Sequence, residues 1–337
     1  MRWPPSSVHL TIAILVLCAT CGTAVADQAQ TSAEGRQAVQ DAWWTGPLLA
    51  SPGAAMPQGH LVVETYLFDA IVQARYDDSG ARRAVPRTDG FQSQTYFFYG
   101  LTDTVTLGLG ARFAYEQPSQ GRSGSRIGVG DTTVRAQYQL AEWRAERWLP
   151  TISMMLAETL PTGKFDRLGD RPSDGHGAGA HTATLALFSQ RPFWLPTGRI
   201  LRVRLNLSWS RSDRVEIQDV SVYGTRSGFR GQAALGANFE ADLAAEYSLS
   251  HQWVLALDLD YLHGASTTVR GSYPPAQGGP AIVVTDNSGS SQLLSVAPAV
   301  EYNWNASVGV IAGVIVPVSG RNTGAAFTPA IALNMAF

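Results

Sequence analysis

Charged side chains recur at alternate positions in several segments of this sequence, which places them on one side of an extended chain. Acids and arginines that face one enclosed space either pair and fill it or line a path through it. The sequence leaves both possibilities open. The candidates are Arg112, Arg135, Glu158, Arg202, Arg204, Glu240, Asp242, Glu246, Asp258, Asp260 and Glu301. We expect the arginines of 126–140 and 200–211 to face the acids of 240–260 across that space.

Residues typical of catalysis are few and poorly arranged. Serines lie near two of the histidines, but no nucleophile motif surrounds them. The other two histidines flank a polar loop at a spacing that has little specificity for a metal. The residues concerned are His176, His181, His251, His263, Ser250 and Ser266. The sequence therefore predicts no enzyme, no metal site and no cofactor, with a lipid-modifying enzyme kept as the third possibility.

The charged positions belong to segments with a period of two, which is typical of β-strands. In 104–116 the odd positions are apolar and the even positions are small or polar. The same alternation recurs in 200–211, 229–248 and 252–263. Each of these strands therefore has one apolar face and one polar face.

We predict twelve strands, joined by short turns at one end and by longer polar loops at the other. The strands span 60–73, 91–101, 104–116, 126–140, 149–161, 180–190, 200–211, 229–248, 252–263, 292–302, 307–318 and 326–337. The long connections span 74–90, 117–125, 162–179, 212–228, 264–291 and 319–325. This layout predicts an all-β fold, a single antiparallel transmembrane barrel over 59–337 whose short turns face the periplasm.

Both ends of the chain agree with export to the outer membrane of a Gram-negative cell. Residues 1–26 have the positive start, short apolar core and small-residue cleavage pattern of a signal peptide, and they contain both cysteines. The last strand alternates up to a terminal aromatic, Phe337, which resembles the C-terminal signal through which such barrels meet their assembly machinery. Amphipathic tryptophans near the short turns predict a girdle at the lipid headgroups. These are Trp143, Trp148, Trp194, Trp253 and Trp304.

The segment 27–58 precedes the barrel and has two possible roles. It is rich in Ala and Gln at first and then carries Trp43 and Trp44 before a Gly/Pro run. One possibility is a disordered periplasmic tail. The other is a plug that folds into the barrel, with the two tryptophans as its apolar anchors.

Composition excludes several other classes. The chain is 45% hydrophobic and 15% charged, with a formal net charge of −2, which disfavours a nucleic-acid partner. Its body has no apolar run of about 18 residues, so helical membrane spans are not expected. A water-soluble β-sandwich would share the period of two, but it would not need a tryptophan at nearly every short turn.

Two strand ends resemble a known family. Gly128-Val129-Gly130-Asp131 is followed by an alternating strand, and Leu160-Pro161-Thr162-Gly163 ends the next one. Both are similar to strands of the outer-membrane channel family of the phenol degradation meta-pathway, which is related in architecture to barrels that transport hydrophobic compounds. From the residues alone, Gly128 and Gly130 leave room on one face, either for curvature or for another segment inside the barrel.

The resemblance implies an outer-membrane channel for passive uptake of small hydrophobic or aromatic compounds. Its expected partners are outer-membrane lipid, such a solute, and the assembly machinery through Phe337. The alternative is a closed structural barrel whose surface loops bind something outside the cell.

Overall fold

The computed structural model describes residues 36–275 and 279–337, of which those from Gln37 to Phe337 belong to one compact unit. The predicted signal peptide and residues 27–35 lie outside the described residues. Regular structure in the described part is almost entirely β, with two 3-10 turns at Val39–Asp41 and Pro172–Asp174. No helix among these residues is long and apolar enough to cross a membrane.

Seventeen strands follow one another in the described ranges. They are β1 (Leu61–Tyr76), β2 (Arg82–Thr102), β3 (Val105–Pro118), β4 (Gly128–Val129), β5 (Thr132–Ala141), β6 (Thr151–Leu160), β7 (Thr182–Trp194), β8 (Ile200–Ser212), β9 (Arg214–Gln218), β10 (Arg230–Ala234), β11 (Asn238–Ser248), β12 (Trp253–Gly264), β13 (Thr268–Tyr273), β14 (Ile282–Asn287), β15 (Ser291–Asn305), β16 (Val308–Arg321) and β17 (Thr323–Ala336).

Twelve long antiparallel strands close into a barrel, which confirms the predicted fold class. The wall consists of β1–β3, β5–β8, β11, β12 and β15–β17. The first strand pairs with the last, and β2 pairs with both β1 and β3, so the ring of hydrogen bonds is complete. Short β4 pairs with β3 and is separated from β5 by Gly130 and Asp131. A closed wall leaves no unpaired strand edge facing lipid.

The two faces of the wall differ as the alternation predicts. On the outer face Leu156 is 57% exposed and Phe97 39% exposed, whereas Glu246 and Glu301 on the inner face are fully buried. A charge facing the middle of a bilayer would cost about 2–4 kcal/mol, so the apolar face points to lipid.

Aromatic rings cluster at the short-turn end of the wall. The Tyr302 ring centroid lies 4.8 Å from that of Trp253 and 5.4 Å from that of Trp304. The Trp143 and Trp194 ring centroids are 6.0 Å apart. The positions of Trp253, Tyr302 and Trp304 agree with a girdle at the periplasmic headgroups, whereas Trp194 contacts the segment inside the wall.

Strands extend further on the long-loop side than the sequence predicts. β1 continues to Tyr76 and β2 begins at Arg82, so most of the predicted loop 74–90 is a hairpin. The prediction of a long loop at 319–325 is wrong, because β16 and β17 meet at Asn322, which turns the chain with a φ of 50°. Outside the bilayer no face has to be apolar, so the hydrogen-bond ladder continues where the alternation stops.

The predicted loops 212–228 and 264–291 contain a second sheet, formed by β9, β10, β13 and β14. The predicted single strand 229–248 is two strands, β10 and β11. One face of this sheet buries Ile217 and Phe229 against Ala180 from the loop after β6. The sheet therefore holds that loop over the extracellular end of the barrel.

Candidate functional site

Residues 37–58, ahead of the first strand, run along the inside of the wall. At the short-turn end Trp194 Nε1 donates a hydrogen bond to the Gln37 carbonyl oxygen (2.8 Å). At the far end of the segment Gly59 N–H donates to the Gly100 carbonyl oxygen (2.8 Å), and the chain enters β1. Residues 43–58 are called the lumen segment below.

Two buried carboxylates of the wall bind the backbone of the first half of the lumen segment. Glu301 Oε2 accepts from Thr45 N–H (2.7 Å) and Gly46 N–H (3.3 Å). Asp258 accepts from the three N–H groups of residues 48–50, at 3.1–3.3 Å. Charge-assisted bonds of this kind are about twice as strong as neutral ones, so these two acids anchor the segment.

Mostly uncharged side chains bind the second half, and at its end Asp103 Oδ1 accepts from Gln58 N–H (3.0 Å). The hydrogen bonds are Gly53 N–H to Gln190 Oε1 (2.9 Å), Ala55 N–H to Gln139 Oε1 (2.8 Å), Met56 N–H to Thr106 Oγ1 (2.8 Å), Gln137 Nε2 to the Pro52 carbonyl (3.1 Å) and Ser153 Oγ to the Gly53 carbonyl (2.6 Å). Side chains of the wall thus form the hydrogen bonds with the backbone of the lumen segment that a neighbouring strand would form in a sheet.

The apolar anchor of the segment is Leu48, which sequence reasoning did not single out. It is 3% exposed and packs against alanines on the inner face of three strands, β12, β15 and β17. The alanines are Ala256, Ala297, Ala299, Ala330 and Ala332. In these strands small inward-facing side chains alternate with large outward-facing apolar side chains. This pattern is the sequence signal that could have predicted a groove on the inner wall for another segment.

The two predicted anchors lie nearer the periplasmic end. Trp43 N–H donates to the His251 carbonyl oxygen (3.3 Å), and the two ring centroids are 3.9 Å apart in an edge arrangement. The Trp44 ring lies under the Arg202 guanidinium, whose carbon is 4.4 Å from the ring centroid.

One buried carboxylate pairs with two arginines of the neighbouring strand. Glu246 Oε2 accepts from Arg202 Nε (2.7 Å) and Arg204 Nε (2.9 Å), and Arg204 Nη1 also donates to the Ala50 carbonyl oxygen (2.9 Å). The expectation that these arginines face Glu246 across the lumen is wrong, because β8 and β11 are adjacent. Adjacent strands bring charged side chains together without crossing the interior.

Other predicted residues of the acid group have fewer partners. Asp242 and Asp260 stand directly opposite each other on β11 and β12, both buried. Neither carboxylate oxygen of Asp242 has a hydrogen-bond partner among the described residues. Glu240 Oε2 accepts only a long bond from Ser208 Oγ (3.4 Å). Buried polar atoms without hydrogen-bond partners are costly, so the opposed side chains of Asp242 and Asp260 are a local cost to the wall.

Glu158 does not face the lumen, which corrects the prediction. It shares the outer face of β6 with Leu156, and its Oε1 lies 3.0 Å from Nδ1 of His181, near the extracellular end. The alternation of β6 places it there, since Ser153 and Met155 on the other phase are buried.

A cavity of about 460 Å³ remains between the lumen segment and the inner face of the first strands. Its wall includes an aromatic stripe of four rings, formed by Tyr66, Phe68, Tyr96 and Phe98. Neighbouring ring centroids in the stripe are 5.6–6.1 Å apart. The Arg135 guanidinium carbon lies 4.2 Å from the centroid of the Phe98 ring, a cation–π contact.

The stripe escaped sequence reasoning because both faces of β2 carry aromatic residues. Phe97 and Tyr99 point outward, and Tyr96 and Phe98 point inward. Alternation between apolar and polar residues is therefore absent there, and the period of two is hidden. The interior of a membrane barrel is ordinarily polar, so contiguous rings on the inner wall mark this part of the lumen as different.

Replacing the carboxylate that holds residues 48–50 tests its role as an anchor. For Asp258→Asn we expect backbone amide exchange at Leu48, Leu49 and Ala50 to accelerate roughly tenfold, because charge-assisted hydrogen bonds are lost. Hydrogen exchange on the purified barrel measures this. Asp260→Asn, two residues along the same face and without a bond to the segment, is the matched control and should leave the exchange unchanged. Equal exchange in both variants would remove Asp258 as an anchor.

These features define a transmembrane antiparallel β-barrel of the bacterial outer-membrane type, with a chain segment bound to its inner wall. The family model described as "Putative MetA-pathway of phenol degradation" matches residues 72–284. The chain belongs to that family, which confirms the resemblance found in the strand ends. The protein is therefore located in the outer membrane.

Several solved structures are similar to this chain. An outer membrane channel from Pseudomonas putida F1 is 15% identical with a TM-score of 0.64, over 86% of this chain and 100% of that one. The toluene transporter TbuX of Ralstonia pickettii is 10% identical with a TM-score of 0.38, over 88% of this chain and 94% of that one. The translocator domain of the autotransporter NalP from Neisseria meningitidis is 11% identical with a TM-score of 0.42, over 93% and 97%. No curated protein matches the chain.

Proposed function

We propose that this barrel is a channel for passive uptake of small hydrophobic or aromatic molecules across the outer membrane. The observation that carries the proposal is the aromatic stripe beside the 460 Å³ cavity, in a barrel whose inner wall also carries buried acids and arginines. A cavity of this size is in the range of small-ligand sites, and aromatic faces bind rings by stacking and edge contacts.

In this proposal the lumen segment is a plug. Its backbone bonds to Glu301 and Asp258, together with the apolar contact of Leu48, support a stable closed position. Passage requires the segment to shift along the wall, and the solute moves down its gradient with no energy source in the chain. Residues 1–26 direct export, and the strand ending in Phe337 is the part that meets the assembly machinery.

A channel of similar fold supports this function. The outer membrane channel from Pseudomonas putida F1 shares its fold with 86% of this chain. The residues that line the cavity support an aromatic solute, since the stripe rings are joined there by the Arg135 guanidinium stacked on Phe98.

Removing rings from the stripe tests the proposal. In intact cells that express the barrel, the initial uptake rate of the fluorescent dye N-phenylnaphthylamine should exceed that of cells without it. The double variant Phe68→Thr/Phe98→Thr should slow this uptake roughly tenfold, since each ring contact contributes about 0.5–1.5 kcal/mol.

The matched control is Phe97→Thr, which removes a ring from the outer face of the same strand. It should leave uptake at the wild-type rate. Uptake no faster than in cells without the barrel would overturn the channel and favour the closed structural barrel with binding loops.

A further inference from the structure

A second cavity, of about 420 Å³, lies in the extracellular half of the barrel and shares no lining residue with the first. Gln92 and Arg112 line it from the wall, and His176 and Tyr223 line it from the two loops held by the small sheet. The apolar side chains of Val222 and Leu235 also line it.

Gly128 and Gly130, the glycines of the motif that resembles the family, make room for the polar side chains of this cavity. A Cβ on Gly128 would lie 2.2 Å from Cδ2 of the His176 ring, and one on Gly130 would lie 3.0 Å from Cδ of Arg112. Any other residue at either position would displace the ring or the guanidinium stem. The strand is therefore shaped around these two side chains.

The loop that carries His176 is held in place by the acid of the same motif. Asp131 Oδ1 accepts from Gly163 N–H (2.9 Å), and Oδ2 accepts from Ala178 N–H (2.7 Å). His176 N–H itself donates to the Lys164 carbonyl oxygen (2.8 Å). The imidazole position is thus fixed by backbone bonds on both sides.

Two polar atoms in this cavity are buried without a hydrogen-bond partner among the described residues, Nε of Arg112 and Nε2 of His176. Burial is the largest influence on the pKa of His176 and lowers it, so the imidazole is neutral at neutral pH. Buried donors and acceptors without partners are costly, each about 1–3 kcal/mol. A ligand that satisfies both atoms recovers that cost.

The carboxylates of Glu116 and Asp131 also line the cavity and disfavour an anionic ligand. A hydroxyl group is both acceptor and donor, so it can accept from Arg112 Nε–H or donate to His176 Nε2. We infer that this cavity is a binding site for a small uncharged molecule that carries a hydroxyl group on an apolar ring or chain. The inference rests on the proposed function, since the bound molecule would be a solute entering the channel.

Calorimetric titration of the purified barrel in detergent tests the site, with benzyl alcohol, toluene and benzoate as probes. Benzyl alcohol should bind roughly tenfold or more tightly than toluene, which lacks the hydroxyl, because two buried polar atoms stay unpaired with toluene. Benzoate should bind more weakly than benzyl alcohol. Equal affinities for benzyl alcohol and toluene, or benzoate as the tightest ligand, would overturn the inference.

Variants locate the binding. His176→Phe and Gly128→Ala should each abolish the preference for benzyl alcohol, the second by displacing the imidazole. Gly324→Ala, where an added Cβ meets nothing within 4 Å, should bind like the wild type. If a variant does not fold, the imidazole NMR signals of His176 in the wild-type barrel should shift on adding benzyl alcohol, and unshifted signals would count against the site. Binding without dye uptake would refute the channel and leave this site standing, and uptake without binding would do the reverse.

Discussion

Deleting residues 37–58 is expected to raise passage of small polar solutes through the barrel roughly tenfold or more, because the segment occupies the lumen and its removal leaves a wider water-filled path. The wall keeps its own ladder, since β1 pairs with both β2 and β17 without help from the segment. Liposome swelling with arabinose and single-channel conductance measure the change. Deletion of residues 27–36 alone is the control and should leave both readouts at wild-type values.

A reversible lock separates plug movement from damage to the barrel. Thr45 Oγ1 donates to Asn303 Oδ1 (3.0 Å), so Thr45→Cys with Asn303→Cys places two thiols on side chains that are in contact. The only cysteines of the chain lie in the predicted signal peptide, so no other thiol competes. Dye uptake should be low when the pair is oxidised and return on reduction. If the rate of dye uptake is the same with the pair oxidised and reduced, the lumen segment is not a gate.

Glu246→Gln is expected to destabilise the barrel by about 3–5 kcal/mol, because it leaves two buried guanidinium groups without their shared carboxylate. Arg204 is 4% exposed in its side chain and Arg202 15%, so water cannot easily replace the lost partner. Urea unfolding of the barrel refolded into phospholipid vesicles gives the free energy of unfolding.

The matched change is Glu158→Gln, which removes a carboxylate from the exposed pair with His181. Exposed ion pairs contribute about 0–1 kcal/mol, so its unfolding midpoint should stay close to that of the wild type. Similar midpoints for the two variants would mean that Glu246 is hydrated in the lumen and that its pairing contributes little.

The barrel could be predicted from the sequence because its main requirement is local. Each residue in a wall strand faces either lipid or the interior. Successive residues therefore alternate between apolar and polar or small types, as in 104–116 and 252–263. Alternation did not predict the strands beyond the bilayer, because neither face of a strand has to contact lipid there. Beyond the bilayer β9 and β14 form strands with no lipid face, so their segments were interpreted as loops.

Which inward side chains meet depends on register and on the path of the segment before β1, and alternation carries neither. Period two correctly separated Glu246 from its outward neighbours, yet only the pairing of β8 with β11 joins it to Arg202 and Arg204. Glu158 is the opposite case, because the alternation within β6 is enough by itself to place this side chain on the outer face. Leu48 was not predicted as an anchor because its alanine partners come from strands far from it in the chain. The aromatic stripe was not predicted because aromatic residues on both faces of β2 hide the alternation.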